Sequence, residues 1–101
     1  MFHILLALSD ADRHGYGIAK EVAARTDGDV RLGPGTLYGT LARMLEAGLV
    51  RETAEGDGAG DERRRYYGLT TLGRAVAEAE ARRLQRLVTV ARGKSLFKPG
   101  R

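Results

Sequence analysis

The chain contains no cysteine and no tryptophan, and only two of its 101 residues are proline. Without cysteine it can form neither a disulfide nor a thiolate metal site. No apolar run approaches the roughly 18 residues that a membrane-spanning helix needs. The apolar start MFHILLAL lacks the basic residues and the cleavage site of a signal peptide. These absences predict a cytoplasmic protein that does not use a membrane.

Residues with catalytic chemistry are also few. Ser9, Asp10 and His14 lie close in the sequence, but the segment is predicted as a turn and carries no signal for an oxyanion site or a pocket. No GxxxxGK phosphate loop occurs, and neither His3 nor His14 has further ligands at metal-site spacing. We therefore expect no enzyme, no metal site and no cofactor.

The net charge of +4 is unevenly distributed along the chain. Residues 1–60 contain six Arg/Lys and nine Asp/Glu, whereas residues 61–101 contain eleven and four. A basic half indicates nucleic acid or another acidic partner. A charge excess that only keeps the protein soluble explains the same pattern, so charge alone does not decide between the two.

Hydrophobic periodicity predicts three helices in the first half of the chain. FHILLALSD is typical of an apolar helix that ends near Ser9, ADRHGYG is predicted as a turn, and YGIAKEVAARTDG as a second helix. The third helix is expected to begin at Pro34, the favoured first helical position, and to stop at Gly48, the favoured residue after a helix end. Its apolar face consists of Leu37, Leu41, Met44 and Leu45.

The pattern changes after residue 48. LVRET and RRRYYGL alternate as strands do, and the glycine-rich acidic segment AEGDGAGDE between them predicts a hairpin with a long tip. From Thr70 to about Ala91 the chain is predicted to be helical. Its apolar stripe has no partner of equal length within the chain, and such stripes attract other molecules. The stripe, a candidate dimerisation surface, consists of Leu72, Val76, Ala79, Leu84, Leu87 and Ala91.

Three helices followed by a hairpin describe a winged helix-turn-helix. We therefore expect a mainly α fold with a small β-hairpin. Residues 1–69 would form the winged-helix DNA-binding domain, residues 70–92 a long dimerisation helix, and residues 93–101 a basic flexible tail.

In this arrangement the third helix reads DNA. Its outward face consists of small residues, two hydroxyls and one guanidinium, so the backbone can come close to a groove wall. Gly35 and the free amides at the helix start can approach a phosphate. The alternative is that Gly35 and Gly39 only allow close packing between helices. The outward residues are Thr36, Gly39, Thr40, Arg43 and Ala47.

Three segments together resemble a known family. HGYGIAKEV, LGPGTLYGTLARMLEAGLV and DERRRYYGLTTLGR, in this order and spacing, are similar to the PadR-like winged-helix transcriptional regulators, of the short kind with a single C-terminal helix. The resemblance runs from about Ile4 to Lys94. It implies a homodimer that binds a DNA operator, usually represses transcription and is often released by a small hydrophobic or phenolic effector.

The sequence departs from the family pattern at four places. Members usually have more residues before the equivalent of Phe2, and they often have serine as the helix cap where Gly33 stands. LTTLG replaces the commoner LTPLG, and Gly68 occupies a place that is often polar or basic. We therefore expect either an internal chain start or a reduced dimer interface, and one wing contact fewer.

Further DNA contacts are expected around the reading helix. Tyr38, at the border of its apolar face, can offer its hydroxyl to a phosphate, and Lys20 on the second helix either contacts a phosphate or is simply solvated. His14 and Tyr16 are expected to fix their turn and fill the core, with contact to the DNA backbone as the alternative. On the wing, the cations Arg63, Arg64 and Arg65 are expected to meet DNA or to pair with nearby acids such as Glu52, Asp61 and Glu62.

Two functions from different classes remain. The first is a dimeric, sequence-specific transcriptional regulator on a palindromic operator. The second is a winged-helix module that uses the same surfaces to bind protein. Arg43 on the reading face and the arginines of the wing favour DNA, because the nearby acids need not face the groove.

Overall fold

A computed structural model of the chain describes residues 1–53 and 65–97. Within these ranges the protein is mainly helical and carries one small sheet, as the sequence predicts. The helices and strands, in chain order, are α1 (Phe2–Ala7), β1 (Arg13–His14), α2 (Gly15–Arg25), α3 (Pro34–Glu46), β2 (Val50–Thr53), β3 (Tyr66–Leu69) and α4 (Thr71–Gly93).

The sheet is antiparallel with the strand order β1-β3-β2. Arg13 pairs with Tyr67 on one side of β3, and Glu52 pairs with Tyr67 on the other. The pairing of β2 with β3 confirms the predicted hairpin. The expectation that ADRHGYG is only a turn is wrong, because it contains β1 and the start of α2, and β1 adds a third strand to the sheet. Two residues are enough for β1 because β3 supplies its hydrogen-bonding partners, and the strand ties the start of α2 to the wing.

Helices α1, α2 and α3 and the inner face of the sheet enclose one core. Leu41 and Met44 of α3 lie in its centre, at 1% and 0% exposure. Burying a side chain of this size contributes about 1.5–3 kcal/mol, so the apolar face predicted for α3 orients that helix. The other buried apolar residues are Ile4, Leu5, Ala7, Leu8, Ile18, Val22, Leu37, Leu49, Val50 and Tyr67.

The starts of α2 and α4 are capped by side chains. His14 accepts a hydrogen bond from the Gly17 N–H through Nδ1 at 3.0 Å, and Thr70 accepts one from Gly73 through Oγ1 at 2.9 Å. Such caps satisfy helix amides that have no partner inside the helix. The cap confirms that His14 fixes the chain at this point, although the point is a helix start rather than a free turn.

The limits predicted for α3 are also confirmed. Pro34 is the first residue of the helix, and its last turn is followed by Gly48 with a φ of +77°. Because L side chains rarely adopt such a φ, glycine is the residue that ends this helix at least cost.

Helix α4 leaves the body of the protein soon after it begins. Gly73 is buried, and a Cβ at this position would overlap the carbonyl group of Leu49. Val76 and Ala77 pack on the core. A helix of 23 residues is about 35 Å long, whereas the six residues of α1 span about 9 Å. The second half of α4 therefore extends beyond the helix against which it starts.

Among residues 1–53 and 65–97, no helix is both long and apolar enough to cross a membrane. The same residues contain no group of three or more His, Cys, Asp or Glu side chains that could hold a metal ion.

Candidate nucleic-acid interface

The outward face of α3 is as open as the sequence predicts. Gly35, Thr36 and Arg43 are exposed, and Gly39 and Thr40 are half-buried. Arg43 Nη2 lies 3.3 Å from Thr40 Oγ1, one turn earlier on the same helix. This bond is long and exposed, so the guanidinium can turn to another acceptor at little cost.

The glycines of this face are not explained by packing within the described chain. A Cβ at Gly35 would meet no atom within 4 Å, and one at Gly39 would meet only Arg43 Nη1, at 3.9 Å. Elsewhere a close approach does require glycine, since a Cβ at Gly15 would overlap the ring of Tyr38. The alternative that the two α3 glycines serve helix packing is therefore wrong for residues 1–53 and 65–97. The space above them is free for another molecule.

The start of α3 differs from the starts of α2 and α4. Its N-cap is Gly33, which has no side chain to bond the first amides. Pro34 has no N–H, and Gly35 and Thr36 are exposed. The first amides of a helix lack intrahelical partners and carry the positive end of the helix dipole. This end of α3 therefore offers donors to an anion.

Tyr38 joins α3 to α2. The residue is 48% exposed, and its hydroxyl end lies against Gly15 at the start of α2. The ring thus holds the two helices together while one edge faces solvent. It lies at the border of the apolar face, as the sequence predicts.

The structure places Tyr16 outside the core, at 69% exposure. The expectation that Tyr16 fills the core is wrong, because the His14 cap puts it in the first turn of α2, where its ring points outward. Lys20 Nζ lies 5.8 Å from the centre of the Tyr16 ring, and the His14 ring is stacked with the Tyr16 ring at 6.3 Å between ring centres. Such a cation–π contact is weak when exposed, about 0.5–1 kcal/mol, and leaves Lys20 available to solvent.

Of the three wing arginines predicted to meet DNA, Arg65 belongs to the described residues, while Arg63 and Arg64 lie outside them. Arg65 Nη1 binds Glu52 Oε2 at 2.9 Å, and its side chain is 68% exposed. Pairing with Glu52, one of the two expectations for this arginine, is therefore present.

Tyr67, the cross-strand partner of Glu52, is buried in the core. Burial, and then the nearby carboxylate of Glu52, raise the pKa of the Tyr67 phenol, so the hydroxyl stays protonated at neutral pH. The Glu52–Arg65 pair thus has a neutral, anchored ring as its neighbour.

Gly68 has a role that the sequence does not reveal. It is buried, and a Cβ there would overlap Asp12 and Arg51. Arg51 Nη2 bonds Asp12 Oδ1 at 3.2 Å across this glycine. The missing side chain at position 68 makes room for that ion pair, which joins β2 to the chain before β1.

The candidate dimerisation residues fall into two groups. Val76 packs on the chain's own core, which corrects the expectation that the whole stripe is free for a partner. Leu72 and Leu87 are 52% and 53% exposed. Of the others, Ala79 is exposed, and Leu84 and Ala91 are half-buried.

Three helices around a core, a β-wing beside the third of them and an open, glycine-lined face on that helix define a winged-helix protein. The model of the transcriptional regulator PadR-like family matches residues 4–79. The chain belongs to this family, whose members are transcription regulators and not enzymes.

Three curated relatives match the chain, and one of them is named as a transcriptional regulator. The chain is 42% identical over 84 residues to an uncharacterized 37.1 kDa protein of a Streptomyces fradiae transposon, covering 83% of this chain and 22% of that protein. A protein of Lysinibacillus sphaericus is 38% identical over 71% of this chain and 65% of its own length. A transcriptional regulator of Mycobacterium tuberculosis is 37% identical over 84% of this chain and 75% of its own length. The chain thus spans less than two thirds of the first two relatives.

Solved structures show the same fold. A PadR-family regulator of Clostridium difficile superposes with a TM-score of 0.77 at 28% identity, covering 91% of this chain and 93% of that one. Bacillus subtilis PadR in complex with operator DNA superposes with a TM-score of 0.69 at 19% identity, covering 79% of this chain and 45% of that one. At that identity the second likeness concerns the fold alone.

Proposed function

We propose that this chain is a DNA-binding transcriptional regulator, a repressor, in which α3 enters the major groove. The observation that carries the proposal is the empty space over Gly35 and Gly39, beside Thr36, Thr40 and Arg43. A major groove accepts one helix, and side chains at its exposed start read base edges. The solved complex of a PadR-family member with its operator supports this function.

The surrounding cations supply phosphate contacts in this proposal. Lys20 and Tyr16 belong to α2, the first amides and Tyr38 belong to α3, and Arg65 precedes β3 of the wing. Phosphate contacts fix the position of a protein on DNA, while base contacts specify the sequence. We therefore assign specificity to α3 and anchoring to α2 and to Arg63, Arg64 and Arg65.

The proposal includes a homodimer formed through α4. One reading helix with one cation gives modest affinity, and two copies double the phosphate contacts. Two reading helices related by a twofold axis meet half-sites one helical turn apart, about 34–36 Å. The operator is accordingly a palindrome.

The same proposal extends to a small hydrophobic or phenolic effector. Apolar clefts at subunit boundaries are common ligand sites, and α4 presents exposed Leu87 and Val90 near its end. An effector between α4 of one protomer and α1 of the other would shift the thermal unfolding midpoint of the protein. If no phenol or hydrophobic cation in a panel moves that midpoint or the DNA affinity, the effector site is rejected.

Selection of bound fragments from the source genome tests the proposed function. Sequencing the fragments that the purified chain retains at physiological salt should give one palindromic motif. A chain that retains no DNA would instead favour the second function, a protein-binding winged-helix module, and a chain that retains all fragments alike would contradict sequence-specific reading by α3.

Glu52→Gln is expected to increase DNA affinity for every sequence by up to about fivefold. An exposed ion pair contributes about 0–1 kcal/mol, and the upper value corresponds to about a fivefold change in affinity. The substitution frees Arg65 from its 2.9 Å contact and removes a negative charge from the wing. In titrations at several salt concentrations, the salt slope should also steepen by about one unit if Arg65 gains a phosphate. Glu78→Gln, an exposed carboxylate on α4, is the matched control and should change neither value.

Gly35→Ala is expected to separate folding from binding. Alanine is more favourable than glycine in a helix by up to about 1 kcal/mol, and nothing within 4 Å opposes the methyl group. The free energy of unfolding should therefore stay equal or rise. Overpacking a close contact costs about 1–3 kcal/mol, so DNA affinity should fall by roughly tenfold. Undiminished affinity would show that DNA does not approach the backbone here.

A further inference from the structure

A carboxylate lies in the middle of the apolar stripe of α4. Glu80 follows Val76 by four residues and precedes Leu84 by four, so the three side chains share one face of the helix. Glu80 and Leu84 are half-buried, whereas the solvent-facing carboxylate Glu78 is exposed. An acid is not expected at this position if the stripe is only an apolar contact surface.

The carboxylate is held by a guanidinium one turn further along. Arg83 Nε donates to Glu80 Oε1 at 3.0 Å, and Arg83 Nη2 donates to Oε2 at 2.6 Å. This bidentate bond lowers the pKa of the Glu80 carboxyl below its usual value. Both groups are therefore charged at neutral pH, and the stripe carries a compact ion pair without net charge.

The pair also lies close to the midpoint of α4. The helix runs over Thr71–Gly93, so residue 82 is its centre, and Glu80 and Arg83 stand on either side of it. Beyond this point Leu87, Val88 and Val90 are 53%, 37% and 53% exposed. The apolar surface thus continues past the pair.

We propose that Glu80, held by Arg83, fixes the register in which α4 pairs with a second copy of this chain. The inference rests on the homodimer of the proposed function. A twofold interface brings the same patch of both copies together, and a patch with one acid and one base complements itself. In the register where the two pairs meet, each carboxylate gains a second guanidinium neighbour.

Registers that place the ion pair opposite the leucines and valines of the partner's α4 bury its charges without such a neighbour. Removing charges from water is costly unless new polar contacts form, so these registers are disfavoured. A single polar residue in an apolar seam sets register in coiled coils in the same way, at a cost in stability. One register holds the two reading helices at one spacing, and that spacing is what a fixed palindrome requires.

The chain has no cysteine, so one substitution places a single spin label. Gln85→Cys puts it on an exposed position of α4, outside the stripe. Electron–electron double resonance then measures the distance between the two labels of a dimer. We expect one narrow distance for Gln85→Cys alone, and several distances when Glu80→Leu is added.

Light scattering accompanies this measurement. Because Glu80→Leu adds apolar surface to the stripe, and the exposed Arg83 can turn to solvent, its dimer dissociation constant should fall by roughly tenfold. Glu80→Gln keeps the shape of the side chain, removes its charge and should also broaden the distance distribution. This second variant keeps the test valid if the leucine variant folds poorly. Glu78→Leu loses a carboxylate on the solvent side and should leave one distance.

Failures of the two proposals differ. If Gln85→Cys is a monomer by light scattering, the proposed homodimer is wrong, and so is the role of Glu80 in setting its register. If a dimer forms and both Glu80 variants keep the single narrow distance, the dimer stands and the assignment of Glu80 is wrong.

Discussion

Gly73→Ala is expected to lower the free energy of unfolding by about 2–4 kcal/mol, as overpacking against rigid structure does. The added Cβ would overlap the carbonyl of Leu49, which is backbone and cannot rotate away. The junction has little freedom to adjust, since the Thr70 N–H donates to Leu49 O at 3.1 Å and Thr70 Oγ1 donates to Gly48 O at 2.6 Å. Helix α4 must therefore shift as a whole.

Urea denaturation followed by circular dichroism measures this effect. Gly93→Ala is the matched control, because it adds the same methyl group to the same helix where no atom lies within 4 Å. The control should be neutral or more stable by up to about 1 kcal/mol. Equal stability of the two variants would mean that the close approach of α4 to Leu49 does not exist in solution.

Arg43→Ala is expected to weaken operator binding by about 1–3 kcal/mol per half-site and to relax base preference at one position in each. The guanidinium is exposed and makes only a 3.3 Å contact with Thr40 among the contacts described. It can therefore pair bidentately with guanine. Arg43→Lys should lose nearly as much, because an ammonium cannot form that fork.

The comparison that matters is between an operator duplex and a scrambled one, titrated at several salt concentrations. Arg82→Ala on α4 removes the same charge from an exposed position and should leave base preference intact. If Arg43→Ala weakens binding to both duplexes equally, α3 does not read bases through this residue.

Much of the fold follows from local signals. Pro34 and Gly48 predict the limits of α3 because each acts through its own backbone: a fixed φ without an N–H in one, a positive φ in the other. The spacing of Leu37, Leu41 and Met44 predicts the buried face since it repeats with the helix. These signals need no knowledge of distant parts of the chain.

The parts that the sequence does not reveal depend on distant contacts. Two residues of β1 show no periodicity of their own and become a strand because β3 lies beside them. Tyr16 is aromatic and suggests the core, but the cap formed by His14 turns it outward. The tight contacts at Gly68 and Gly73 involve residues far apart in the sequence. The sequence around each glycine therefore does not distinguish it from a glycine in a turn.

The candidate interface divides in the same way. The outward residues of α3 are predictable from helical spacing, whereas the pairing of Arg65 with Glu52 depends on the register of β2 and β3. That Gly35 and Gly39 have open space above them follows from the arrangement of all the helices, because only the complete fold shows which atoms are absent.

Methylation interference on the selected operator tests most directly whether α3 lies in the major groove. Dimethyl sulfate places a methyl group on guanine N7, which faces that groove. We expect methylation of guanines in two clusters, about 10 base pairs apart, to abolish binding of the unsubstituted chain. Arg43→Ala should lose sensitivity at one guanine of each cluster. Full binding to DNA methylated at every guanine N7 would contradict the proposed function.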